Sequence, residues 1–135
     1  MSRCFHLARV VCTPTRAACP KACTLSAVPL VVLLLLAPLL EETVLRPGLH
    51  AWALRRWGGA VPRWLAWPSA VNLLVAVLFA ALHLLRLPLL LALAVVLPSL
   101  MVGQVFEMTA RLWPCVLTHS AFNLCWLAMA SRLPA

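Results

Sequence analysis

Apolar residues run through this chain in long unbroken blocks, with polar positions confined to the gaps between them and to a few isolated sites inside. Four stretches carry no charge: 22–40 (19 residues), 64–85 (22), 87–106 (20) and 112–131 (20). A helix needs roughly 20 apolar residues to cross a hydrocarbon layer ~30 Å thick. The blocks are continuous and rich in Leu and Ala, without the alternation of a strand facing lipid on one side. The pattern predicts an all-α integral membrane bundle of about four transmembrane helices, because only helices and closed barrels satisfy their backbone in lipid. The predicted helices start near Leu25 and then cover about 68–85, 88–106 and 114–131. Residues 107–114 are expected to form a short connection, and Arg86 and Pro88 a tight turn.

The end of the first helix decides what the molecule can do. If it stops at Leu40, Glu41 lies at one membrane face and His83, at the far end of the second helix, lies at the other. If it runs on toward Leu54, Glu41 sits well inside the bilayer, where His83 and His119 can reach its level. The second arrangement is preferred, with Pro47 and Gly48 expected to kink or break the helix just after the polar residues.

Composition supports the membrane reading. Hydrophobic residues make up 64% and charged residues 10%, against about 45–50% and about 25% for a soluble domain. The net charge of +8 does not imply a nucleic-acid partner, since the basic residues are scattered between apolar spans. Trp and Arg at Arg55, Arg56, Trp57, Arg63, Trp64 and Trp67 read as an interfacial belt. Ten of the eleven basic residues are Arg, which suits a GC-rich bacterial genome and a multi-pass protein of the inner (cytoplasmic) membrane. Residues 1–24 read as a basic, disordered tail, 25–131 as the membrane core and 132–135 as a C-terminal tail. The apolar run after the first tail has the character of a signal-peptide core but no small-residue cleavage site, so it is read as a retained span. Basic residues slightly favour the end bearing the tail, Arg86 and Arg132, which places the N-terminus in the cytoplasm. Cys4, Cys12, Cys19 and Cys23 do not repeat a paired metal spacing, and Cys115 and Cys125 read as small apolar residues within a span.

Against this background the acids stand out. Only three are present, and Glu41 and Glu42 are adjacent at the end of a long apolar run. A carboxylate near the bilayer centre costs at least ~2.5 kcal/mol. Glu42 and Arg46 are spaced i, i+4 with Glu first, the better orientation for a helical ion pair. Arg46 is therefore expected to hold Glu42 rather than Glu107, leaving Glu41, about 100° away around the helix, to act as a general base. His83 lies in a second apolar block. His119 and Asn123, again at i, i+4, share one face of the last helix. Carboxylate, imidazole and amide facing one another within lipid make a candidate hydrolytic site, so Glu41, His83, His119 and Asn123 are expected to converge. The third helix, with no acid, base or His between Arg86 and Glu107, is expected to be scaffold.

The ordered triple Glu41-Glu42-x-x-x-Arg46, Phe79-x-x-x-His83 and His119-x-x-x-Asn123 resembles the signature of the CPBP family, which contains the type II CAAX prenyl endopeptidases and the Abi-type intramembrane proteases. The resemblance covers residues 30–131. It implies an intramembrane endopeptidase in which Glu41 activates water, His83 contacts water or substrate, and His119 and Asn123 hold the carbonyl oxygen as charge develops on it. Implied substrates are a lipidated C-terminal peptide, a leader peptide or a sorting tag, presented at the lipid bilayer. A homo-oligomer sharing helices is compatible with the single apolar run ahead of Glu41.

Two alternatives accompany that reading. Zinc could be held by Glu41, His83 and His119. Catalytic zinc helices usually supply two His at i, i+4 around a base, whereas these two lie on separate helices. A glutamate-water mechanism without a cofactor is therefore favoured. The other alternative is a non-catalytic immunity or scaffold protein that retains the motifs.

Overall fold

The computed structural model describes residues 27–57 and 68–130. The expected N-terminal tail with its four cysteines, the belt positions Arg63, Trp64 and Trp67, and the C-terminal tail lie outside the described residues. What is described is almost entirely helical. Helix α1 runs Val28–Trp57, 30 residues. Helix α2 is Ala70–His83. Helix α3 is Leu89–Thr109, with a turn at Val95 joining its two segments, and α4 is Leu112–Ala130. Two of these, α1 and α3, are long and apolar enough to cross a membrane. At 14 residues α2 is shorter than a full span.

Helix α1 does pass Glu41, and it is not broken by its prolines. A proline has no N–H to give to the carbonyl four residues earlier. Here the helix widens into π-helical turns over Val32–Leu36 and Val44–His50, around Pro38 and Pro47, and continues to Trp57. Gly48 is not sterically demanded, since a Cβ there would meet only the Thr43 carbonyl at 3.9 Å. Of the expected kink or break, the break does not occur: the helix passes through a wider π turn and continues.

Contacts fix the topology. Arg46 meets Ser99 and His50 meets Glu107, so α1 and α3 run parallel. Glu42 meets His119 while the earlier Leu33 meets the later Asn123, so α4 runs antiparallel to α1. Ser69 meets Glu107 and Asn72 meets Leu100, so α2 runs antiparallel to α3.

The third helix extends through Thr109, further than expected, and its last turn carries Glu107 into the interior. The connection to α4 shrinks to two residues. Ala110 takes a left-handed conformation (φ 52°) and its N–H donates to the Phe106 carbonyl, ending the helix.

Packing is inverted relative to a soluble protein. Large apolar side chains such as Leu40, Val44, Leu74, Leu90, Leu97 and Leu117 are exposed. The fully buried side chains include Arg46, His50, Glu42 and Asn72. On α2, Val71, Val75 and Phe79 face inward with Leu45 and Ala53 of α1, while Leu74, Leu78 and Leu82 face outward. This is the helical i, i+3, i+4 spacing, with lipid as the outer medium.

Helices α2 and α3 leave no room for a side chain at Gly103. A Cβ there would lie 1.9 Å from Asn72 Oδ1. Asn72 is fully buried and its amide donates to the Leu100 carbonyl at 3.0 Å, so it cannot turn aside without losing that bond. Gly103→Ala is expected to destabilise the bundle by about 1–3 kcal/mol, and adding Asn72→Ala should recover most of the loss. Thermal unfolding in detergent checks both values.

Candidate functional site

The site is built around one buried ion pair. Arg46 Nε donates to Glu42 Oε2 at 2.7 Å, with the side chains 0% and 1% exposed. Every guanidinium nitrogen is occupied. Nη1 meets His50 Nδ1 at 3.2 Å, and Nη2 donates to the carbonyl and hydroxyl oxygens of Ser99 at 3.2 and 3.3 Å. Glu42, Arg46 and His50 follow at i, i+4 and i+8, so they form a single polar stripe on α1.

Glu42 is shared between two helices. Its other oxygen, Oε1, accepts from His119 Nδ1 at 2.8 Å. A carboxylate paired with Arg can only accept, so Nδ1 carries the proton. The opposite ring nitrogen, Nε2, then faces Glu41 Oε2 at 3.7 Å. Glu41 is the accessible member of the pair, its side chain 35% exposed. This division, Glu42 held by Arg46 and Glu41 left open, matches the expectation from spacing.

His83 joins the group through Phe79. Its Nδ1–H donates to the Phe79 carbonyl one turn earlier, at 3.0 Å. The Phe79 ring lies edge-on between two imidazoles, its centroid 4.4 Å from His83 and 5.9 Å from His119. The two imidazole rings are therefore no more than about 10 Å apart, each with its Nδ1 held and its Nε2 on the opposite side of the ring.

Asn123 shares the face of His119 but is anchored elsewhere. Its amide donates to the Leu33 carbonyl at 2.9 Å, and Ser120 donates to the Leu34 carbonyl at 2.6 Å. The reason lies in α1. Pro38 offers no N–H to Leu34, and in the π turn the Ala37 N–H goes to Val32, which leaves the Leu33 carbonyl without its helical donor. Two freed carbonyls in an apolar layer need partners, and α4 supplies them.

Helix α3 is more than scaffold, contrary to expectation. It gives Ser99 to Arg46, and it gives Glu107, whose Oε1 accepts from His50 Nε2 at 2.9 Å. Glu107 also accepts from Ser69, the N-cap of α2. His50 and Glu107 were missed in the sequence as site neighbours. Arg46-x-x-x-His50 was a readable signal, being one more i, i+4 step.

Among the described residues no three His, Cys, Asp or Glu side chains gather as metal ligands. Cys115 is buried and its thiol meets the Arg111 carbonyl at 3.3 Å, whereas Cys125 is exposed. Cys115 lies near enough to Glu42 and Arg46 to feel both charges, but its thiol bonds to backbone carbonyls and not to the cluster.

The arrangement is a free carboxylate beside an imidazole whose far nitrogen is held by a second, ion-paired carboxylate. A protein-family model described as Rce1-like, type II CAAX prenyl endopeptidase, matches residues 24–125. The chain belongs to this family. The matched region contains all three polar motifs, and the general activity that goes with membership is CAAX-type endopeptidase activity at the membrane. Comparisons with curated proteins and with solved structures give no match. Motif residues from three helices meet around Glu42 and Phe79.

Arg46 should be the most sensitive position of the cluster. Arg46→Leu removes the charge that balances buried Glu42 and leaves it only the hydrogen bond from His119, which costs about 3–5 kcal/mol. Arg46→Lys should restore little, because an ammonium cannot meet three partners in one plane. Combining Arg46→Leu with Glu42→Leu should recover much of the stability but no activity. Unfolding midpoints of the three variants check this order.

Proposed function

We propose that this Rce1-like chain is a multi-pass membrane endopeptidase that cleaves a lipidated peptide by a glutamate-water mechanism. The observation that carries the reading is the split between Glu41 and Glu42. Glu42 is fully occupied by Arg46 and His119, and Glu41, adjacent in sequence, is half-exposed beside His119 Nε2.

Glu41 takes a proton from water as the water oxygen attacks the scissile carbonyl, whose π pair moves onto its oxygen. His119 in its doubly protonated form, with Nδ1–H already held by Glu42, donates from Nε2 to that oxyanion. The second amide hydrogen of Asn123, whose first is bound to Leu33, serves the same oxygen. Donors fixed before charge develops are the largest contribution in many hydrolases, and the low dielectric of the interior strengthens them. Collapse of the tetrahedral adduct breaks the C–N bond, and the proton on Glu41 passes to the leaving amine. His83 positions water or substrate through Nε2.

A bacterial inner membrane with the N-terminus in the cytoplasm is the setting this reading assigns, with the exposed leucines of α1 against lipid. The mechanism uses no cofactor. A chelator whose inhibition zinc reverses would replace it with a metal-dependent one.

Glu41→Gln should lower turnover of a prenylated peptide by at least about 100-fold, the scale of general base catalysis. It should leave the unfolding midpoint nearly unchanged, because Glu41 has no hydrogen bond in the cluster. Glu42→Gln should do the reverse in part, losing stability along with activity. Full turnover in Glu41→Gln would reject the base assignment.

A further inference from the structure

The buried polar stripe continues past the residues that the mechanism uses. Arg46 Nη1 can only donate, so His50 Nδ1 must accept and His50 Nε2 carries the ring proton. That proton is donated to Glu107 Oε1. The His50 and Glu107 side chains are both 0% exposed. The His50 ring rests against Phe106, centroids 5.4 Å apart, which limits its rotation. Each bond in the line thus has one direction. Glu107 accepts from His50, His50 accepts from Arg46, Arg46 donates to Glu42, and Glu42 accepts from His119, whose free nitrogen faces Glu41.

From this geometry we infer that His50 and Glu107 are positioning residues of the protease site, acting through Arg46 on the Glu42 carboxylate that orients His119. The inference rests on the proteolytic reading. Guanidinium can pivot about its bond to Glu42 unless its outer nitrogens are held. Ser99 holds Nη2, and His50, braced by Glu107, holds Nη1. The same carboxylate ties α3 to Ser69 at the start of α2, whose last turn carries His83. The line therefore ends on the carboxylate that orients His119, and its other end anchors the first turn of α2. Outer partners of this kind typically change activity or affinity by 10–100-fold when removed.

The test uses the full chain in lipid nanodiscs, a prenylated peptide reporter and the variants His50→Leu, Glu107→Leu, the double His50→Leu/Glu107→Leu, and Glu41→Gln. The expected result for His50→Leu is a kcat lower by at least about 10-fold with KM within about twofold. The double variant, which removes the buried carboxylate together with its imidazole partner, should regain the unfolding midpoint lost in either single variant while kcat stays low. A double variant that regains both stability and kcat makes the pair merely structural and overturns the inference. So does a His50→Leu protein with wild-type kcat. If the single variants do not fold, ring ¹⁵N spectra of the unmodified protein decide, with His50 required to carry its proton on Nε2 and not on Nδ1. Failure of the unmodified chain to cleave would remove the protease reading, and with it the positioning role. Cleavage that Glu41→Gln leaves intact would reject only the base assignment.

Discussion

The polar centre of this bundle depends on the pairing of Glu42 with Arg46 inside an apolar layer. Either charge alone would be costly at that depth, and together they still carry a desolvation penalty of several kcal/mol per ion. The pair is tolerable only because its remaining hydrogen-bonding capacity is filled, Glu42 by His119 of α4 and Arg46 by Ser99 of α3 and His50 of α1. The ion pair therefore does more than join two turns of one helix. It specifies which neighbours α1 must have, and in what register, since a one-turn slip of α3 or α4 would leave a buried charge with empty valences.

The prolines of α1 impose a second demand of the same kind. Pro38 and its π turn release the Leu33 and Leu34 carbonyls, and Asn123 and Ser120 answer them. The contact one turn earlier in α4, between His119 and Glu42, follows from the same docking. A helix defect and an ion pair thus set the position of α4 along α1 twice over, which is the precision a hydrolytic site needs if a nucleophile and its partners are to stay within bonding reach.

Much of this was legible in the residues, and the limits are instructive. Glu42 and Arg46 at i, i+4, and the continuation of α1 beyond Glu41, follow from helix periodicity and the cost of a buried acid. Both rest on local geometry, which sequence spacing records. Glu107 was read as part of a connection because it ends an apolar block, although the same reasoning had been set aside for Glu41. The difference is a partner 57 residues away, His50, and spacing does not encode contacts of that range. Gly103 likewise reads as an ordinary small residue until Asn72 of α2 is brought against it. The anchoring of Asn123 on Leu33 lay between these cases. Pro38 announces that carbonyls nearby will lack donors, but not which helix will supply them.

Two adjacent glutamates with opposite fates illustrate how burial assigns roles. The one with the most partners, 1% exposed between Arg46 and His119, has both of its oxygens engaged by the protein. The one with the fewest, 35% exposed, keeps free valences beside His119 Nε2. Successive residues on a helix point about 100° apart, so a single turn can commit one carboxylate to the protein and leave the next open. In the proposed mechanism, the reactive group is then the less stabilised of the two, and the ion pair beside it holds the imidazole against which Glu41 would work.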